Sequence, residues 1–463
     1  MTEKEREQRV IELTYTGVRY CSGMTFACKL YVPEVPQDTP LGVIVTHDGL
    51  IEAEVLAMEK LAKTGDAPYC ACIGIDGGAM SPTRKEGYRR GMRLSNYDFF
   101  DSCFADFLVE ELIPYLQETY HLNLSKDPNM HMAAGGSSGG ISAWNCVWFR
   151  NDYFRRAYLS SPSFLAMDRG NMAQVFMRLY ETKPIRVYVD YSETEPDDYF
   201  GSSYCVAMEA QRALQFAGYD YAWNYYPGEG HCSRYHDEKT AEEIFLFLWK
   251  DWDTKPVEPN RSITRSRCEV LVSMDDPWEV TEEGFPEKAE AVTERGVYKI
   301  KGEEVQFCTA TEERKVAEGY PHLVSLAVSS DLWRLYLADA SRGCLYAASI
   351  CEDGSLKDTM RFASLYRGTD FSYQGAFDIC VDMNDRIFVA TELGIQCVRS
   401  YGLIDAILPL PGNAIPQKVA FGGEGMQYLY ADCGNQVYRR KMKFPGKQNP
   451  LEITEPKFTS YYD

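Results

Sequence analysis

Up to about residue 252 the chain alternates short apolar runs with amphipathic ones. VIELTYTGV, TFACKLYVP, GVIVTHDG, YCACIGID, MHMAAGG, RRAYLSS, PIRVYVD and YAWNYYPG read as strands. Between them FFDSCFADFLVEELIPYL carries Phe104, Phe107, Leu108 and Leu112 at a spacing near the helical ~3.6 residues. YCVAMEAQRALQFAG reads as a second helix with Gly218 as its C-cap, and Glu238 to Trp252 as the last. This alternation predicts a mostly parallel sheet with helices on both faces over residues 1–252.

Residues 253–266, DTKPVEPNRSITRS, hold two prolines and no apolar period, which reads as a linker. Beyond it come short strands separated by turn residues, among them GVYKIKG, LVSLAVSS, RLYLADA, GCLYAASI, GIQCVRSYG, QKVAFGG, MQYLYADC and QVYRRKM. Their regular spacing predicts an all-β propeller or sandwich over residues 267–445, followed by a tail, 446–463.

With 463 residues and a 45% hydrophobic content the chain is long and apolar enough for two large cores. The net charge of −20 repels phosphate backbones and anionic lipid surfaces, so neither a nucleic-acid nor a membrane partner is expected. MTEKEREQRV lacks the apolar core of an export signal, and fifteen scattered cysteines suit a reducing cytoplasm better than a disulfide framework. Cys70 and Cys72 have no second pair to complete a zinc site and read as buried thiols.

Chemistry concentrates in Gly136-Ser137-Ser138-Gly139-Gly140, a G-x-S-x-G match between a strand and a helix. Small flanking residues let such a turn tighten until a serine hydroxyl projects from the sheet, and the frame makes Ser138 the expected nucleophile. Among six histidines, His231 follows the last strand and precedes the closing helix, the place of the general base, with His236 as fallback. The acid is sought after PIRVYVD, where Asp190, Glu193, Glu195, Asp197 and Asp198 crowd together. Glu195 ends a Ser192-x-x-Glu195 pattern and is the choice, with Asp197 or Glu193 behind it. The backbone amides of Gly139 and of Gly49 or Leu50 are the expected oxyanion donors.

YVP, THDG, SNYDFFDSCFADFLVEELIPYL, GGSSGG, SSPSF, PIRVYVD and FAGYDYAWNYYPGEGH together resemble the enterochelin esterase-like, or esterase D-like, branch of the α/β-hydrolases over residues 8–252. The resemblance implies a carboxylic ester hydrolase with a Ser138–His231–Glu195 triad and no cofactor, and places Arg93 and Asp98 at the substrate pocket. FDICVDMNDRIFVATELGIQCV and LPLPGNAIPQKVAFGGEGMQYLYADCGNQVYRRK resemble the last blades of gluconolactonase and regucalcin-type propellers. That family holds a divalent metal through a glutamate, asparagines and an aspartate. Asp378 matches the aspartate, Val324 stands where an asparagine belongs, and ~190 residues at ~45 per blade give about four blades, so the resemblance implies a shortened propeller with a damaged metal site. His322 is the one substitute ligand in view.

The expectation is a serine esterase acting on an acyl ester of a sugar, a phenolic or a siderophore-type compound, free to self-associate. A metal-dependent lactonase in the C-terminal half and a non-catalytic binding protein are the alternatives.

Overall fold

The computed structural model describes residues 9–36, 38–80, 90–165, 170–198, 201–235, 237–289, 291–368 and 375–448. These form two compact units, one within Met1–Arg178 and Thr182–Arg265, the other within Leu179–Glu181 and Ser266–Asp463.

The first unit is built on one ten-stranded sheet. Its strands are β1 (Val10–Thr16), β2 (Thr25–Tyr31), β3 (Gly42–His47), β4 (Cys70–Ile75), β5 (Ala79–Met80), β6 (Arg90–Gly91), β7 (His131–Gly136), β8 (Arg156–Ser160) and β9 (Arg186–Thr194). A separate ribbon joins β10 (Asp197–Asp198) to β11 (Gly201–Ser202), and β12 (Asp220–Gly230) completes the sheet. The order is β12-β9-β8-β7-β3-β4-β2-β5-β6 with β1 on β2, and the run from β12 to β4 is parallel. All eight expected strands are present. The central strands β3, β4, β7 and β8 are buried at every residue, as a sheet covered on both faces requires.

On one face, α1 (Glu52–Thr64) sits over Ile44, Met132 and Tyr158 together with the closing helix, whose Ile244, Phe245 and Leu248 complete the core. On the other, Phe26 stacks on Phe107 at 4.5 Å, and Trp144 of α2 (Ser138–Phe149) stacks on Trp148 at 5.3 Å. The run expected as one helix is Cys103–Phe107, a π-helical stretch Leu108–Leu112, and Ile113–Thr119. Pro114 lacks the N–H that an unbroken α ladder needs, and the wider turn precedes it. Next come α3 (Ser203–Ala217), ended by Gly218 in the left-handed region at φ 76°, and α4 (Glu238–Leu248). Residues 253–265 run along this unit: the Asn260 and Arg265 amides donate to Gly218 and Phe216 carbonyls, both at 2.8 Å, and the buried Val257 donates to Asn129 Oδ1 at 2.9 Å.

The second unit is four small antiparallel sheets in a propeller-like arrangement. The first contains β13 (Glu279–Val280), which joins the last three strands of the chain. The next holds β14 (Val297–Lys301), β15 (Glu304–Cys308) and β16 (Glu313–Glu318). Then follow β17 (Leu323–Val328), β18 (Arg334–Asp339), β19 (Cys344–Ile350) and β20 (Leu356–Ser364). The fourth sheet is β21 (Asp378–Val381), β22 (Ile387–Thr391), β23 (Gly394–Val398) and β24 (Ile404–Leu408), and β25 (Lys418–Gly422), β26 (Tyr428–Asp432) and β27 (Val437–Lys441) close on β13. β16 and β20 went unread because they carry charged or exposed side chains at most positions, without an apolar alternation.

The closing helix α4 supports the loop that precedes it, and its N-terminus is capped by Asp237, which accepts from the Thr240 amide at 2.8 Å and its hydroxyl at 2.7 Å. Asp237→Ala is expected to destabilise the first unit by about 1 kcal/mol, read as a lower denaturant midpoint with an unchanged slope.

Candidate active site

Strand β7 ends at Gly136, helix α2 begins at Ser138, and the single residue between them, Ser137, takes φ 56° and ψ −123°. For a side chain other than glycine that conformation costs on the order of 1–3 kcal/mol and persists only where its surroundings over-determine it. They do. The Ser137 amide donates to Ser160 C=O at 2.9 Å, while its own carbonyl accepts from Gly140 at 2.9 Å, Ser163 at 3.1 Å and Ile141 at 3.2 Å. Glycines let the helix start this close to the sheet: a Cβ on Gly135 would lie 2.1 Å from the Gly139 carbonyl oxygen, and one on Gly139 would lie 3.0 Å from His47 Cβ.

The strained turn therefore presents Ser137, not Ser138. Ser137 is half-buried, with Oγ 3.3 Å from Ser163 Oγ. Ser138, the expected nucleophile, is the first residue of α2, 5% exposed, and its hydroxyl faces the buried Asp98 carboxyl. The six residues GGSSGG contain a second G-x-S-x-G frame one residue earlier, Gly135-Gly136-Ser137-Ser138-Gly139, and that frame was the available signal.

β12 delivers His231 to a turn in which Cys232 has φ 55°. This turn packs on the elbow, since a Cβ on Gly136 would meet Cys232 Sγ at 3.1 Å. His231 Nδ1 lies 2.5 Å from Glu195 Oε2, with the imidazole 32% and the carboxylate 1% exposed. The other oxygen, Oε1, accepts from Ser161 Oγ at 2.6 Å and the Ser192 amide at 2.9 Å. Burial opposes the Glu195 charge, but these donors hold its pKa below the usual carboxylate range. The Cys232 thiol and the Glu195 carboxylate in turn push the His231 pKa up.

The other loop carboxylates are turned elsewhere. Asp190 is buried under Tyr158 OH at 2.9 Å and Ser160 Oγ at 2.8 Å, Glu193 accepts from the Gly228 amide at 2.5 Å, and Asp197 lies exposed on the short ribbon. The side chain of Asp198, and His236 as a whole, lie outside the described residues. His47 is buried with Nδ1 2.9 Å from Ala134 C=O, and burial pulls its pKa down to about 4.

The amide that follows Ser137 belongs to Ser138, whereas the expected donor Gly139 lies one residue further along α2. Across the turn, the Gly49 amide is committed to Ile75 C=O at 3.2 Å, whereas the Leu50 amide makes no hydrogen bond among the described residues. Arg93 grips Asp48 in that loop through Nε and a terminal nitrogen, both at 2.6 Å, which makes it a brace for the loop. Asp98 is fully buried and does not line a substrate pocket as expected; burial pushes its carboxyl up to about 6.

In the second unit, Asp378 Oδ1 accepts from Ser325 Oγ at 2.6 Å and from the Lys288 ammonium, and Oδ2 accepts from the Val419 amide at 3.0 Å. Val324 points outward and Ser325 takes the inward place; His322 is exposed. Among the described residues no group of three or more His, Cys, Asp or Glu could hold a metal. One carboxylate neutralised by an ammonium is a poor donor set for a divalent ion, so the residues do not fit the metal that the propeller resemblance implies.

Residues 23–241 match the family model described as putative esterase, and residues 286–432 match the model for the SMP-30/Gluconolactonase/LRE-like region. The first unit thus contains a region similar to putative esterases, and the second a gluconolactonase-like region. No curated protein matches the sequence. A solved ferulic acid esterase is similar at 16% identity, covering 52% of this chain and 98% of its own, with a TM-score of 0.40. The enterobactin esterase of Shigella flexneri is similar at 14% identity over 52% of this chain and 59% of its own, TM-score 0.40. A gluconolactonase from Xanthomonas campestris is similar at 22% identity over 30% of this chain and 44% of its own, TM-score 0.26.

Two measurements test this geometry. With a general base whose pKa is raised by its partners, kcat/KM should climb with pH through one ionisation whose midpoint lies above the ordinary ~6.5 of histidine, and Glu195→Gln should move that midpoint down; a flat profile would contradict the His231 assignment. For the second unit, calcium and EDTA should leave the melting temperature unchanged, whereas Lys288→Met, which strands the Asp378 charge, should lower it.

Proposed function

We propose that the esterase-family unit is a serine hydrolase of carboxylic esters that works through Ser137, His231 and Glu195. The observation that carries this is the strained Ser137 elbow packed against the turn that holds the buried Glu195–His231 pair. With Nδ1–H given to Glu195, His231 keeps Nε2 for the serine hydroxyl. Ser137 Oγ attacks the ester carbonyl as Nε2 takes its proton, and the Ser138 and Leu50 amides receive the negative charge on the carbonyl oxygen. Collapse expels the alcohol, protonated by the imidazolium, and leaves an acyl-Ser137. Water, deprotonated by the same imidazole, releases the acid and restores the serine. Glu195 stays ionised throughout, holds the ring tautomer and stabilises the imidazolium.

The similar solved proteins are named for ferulic acid and enterobactin esters, and an acyl ester of a phenolic, sugar or siderophore-type alcohol is the substrate class we propose here. All fifteen cysteines are free thiols, which suits a reducing compartment such as the cytoplasm. Among the described residues no helix is long and apolar enough to cross a membrane.

Hydrolysis of p-nitrophenyl acetate, methyl ferulate, an acetylated xylo-oligosaccharide and a catecholate trilactone, run in parallel, identifies the ester. On the best of them Ser137→Ala should cost about 10³-fold or more in kcat. Ser138→Ala, which keeps the backbone amide, should stay within about tenfold of the parent. Glu195→Gln should cost far more than Asp197→Asn; the reverse order would overturn the acid assignment.

A further inference from the structure

We propose that Arg93 is a positioning residue of the ester hydrolysis: its ion pair with Asp48 aims the Leu50 amide at the oxyanion and cancels a carboxylate charge that would otherwise face it. The inference rests on the Ser137 reading of the site and extends it to the loop that carries one of the donors.

The loop after β3 turns sharply. Asp48 has φ 71° and Gly49 φ 115°, so two successive residues take positive φ immediately before Leu50. Hydrogen bonds hold the turn at each step. The Asp48 amide donates to the Tyr97 hydroxyl at 3.3 Å, and that hydroxyl donates to Ile75 C=O at 3.0 Å. The Gly49 amide donates to the same carbonyl at 3.2 Å, and Gly49 C=O accepts from Thr46 Oγ1 at 2.6 Å. Leu50 then passes so close to β4 that a Cβ on Gly74 would lie 2.0 Å from its nitrogen. What this turn leaves uncommitted among the described residues is the Leu50 amide.

One short helix, Arg93–Tyr97, closes the turn from outside. Arg93 takes both Asp48 carboxylate oxygens, from Nε and a terminal nitrogen, at 2.6 Å each, and its guanidinium lies 5.5 Å from the centre of the Tyr97 ring. Arg93 thus fixes the side chain of Asp48, and Tyr97, four residues on, fixes its main chain.

Charge gives the pair its second role. Asp48 Oδ2 reaches the first turn of α2, where a Cβ on Gly139 would lie 3.2 Å from it. Gly139 follows Ser138, whose amide is the other oxyanion donor, and the buried Asp98 carboxyl faces the Ser138 hydroxyl. A tetrahedral intermediate therefore develops its negative charge beside two acids, and like charge opposes it. Arg93 is a cation within reach of both acids. Its side chain is 38% exposed and that of Asp48 37%, and an ion pair this open to water adds little to folding stability. Removing it therefore separates an effect on the reaction from an effect on the fold.

The test is p-nitrophenyl acetate kinetics on the full-length protein, Arg93→Met, Asp48→Asn, the double variant and Ser137→Ala, with melting temperatures by circular dichroism. Acylation and deacylation both pass through an oxyanion. Arg93→Met should therefore lower kcat about 10²-fold whichever step limits, with KM within about threefold and the melting temperature close to wild type. Adding Asp48→Asn, which removes the uncancelled charge, should recover about tenfold or more of that loss. If Arg93→Met does not fold, Arg93→Gln, which can still donate one hydrogen bond to Asp48, takes its place in the same cycle. An Arg93 variant with kcat within about threefold of wild type, a loss carried by KM alone, or a loss that Asp48→Asn leaves undiminished would overturn the proposal. Full activity in Ser137→Ala would remove the Ser137 assignment itself, whereas an inactive Ser137→Ala beside a fully active Arg93→Met would remove only the role of Arg93.

Discussion

The site depends on one strained peptide. Ser137 holds a backbone conformation that costs free energy, and three amides from α2 and the loop after β8 converge on its carbonyl to keep it there. The same turn fixes where α2 begins, so it also sets which amides of that helix are left without intrahelical acceptors. Gly135 and Gly139 serve this geometry by letting the first turn of the helix close against β7 and β3. A side chain at either place would push the helix away and take the oxyanion donors with it.

The acid–base half is assembled from the neighbouring strand ends. Glu195 leaves β9 and returns under His231, where its carboxylate is almost wholly buried yet fully hydrogen-bonded. Ser161 ties Glu195 to the turn that carries His231, since its hydroxyl donates to Glu195 and accepts from the Cys232 amide at 3.2 Å. A buried carboxylate with donors on both oxygens stays charged and fixed in place, and those are the two properties that an imidazole partner requires.

Much of this was legible in the sequence because it follows from period and order. Short, largely apolar runs marked β3, β4, β7 and β8, and the Ser-acid-His order pointed to His231 and to Glu195 within a crowded loop. The strained turn falls at Ser137, one residue before the expected Ser138, because GGSSGG satisfies the motif in two frames and only the backbone dihedral separates them. Asp98 looked like a pocket residue from its place before the long helix, but its burial is set by tertiary packing that no local pattern encodes. In the second unit most strands were legible, but the central β15 and the apolar β24 went unread, and the outer strands β16 and β20 carry too many charges to register as strands. Near Asp378 one residue again mattered, since a register irregularity between Leu323 and Ser325 leaves Val324 exposed and Ser325 buried.

The central claim is that Ser137 alone carries the reactive hydroxyl, and it is tested most directly by locating a covalent adduct. After reaction with a fluorophosphonate, fragment-ion mass spectrometry of the peptide spanning residues 131–149 should place the phosphonyl group on Ser137 with Ser138 unmodified. An adduct on Ser138, or the absence of any adduct in active protein, would contradict the account.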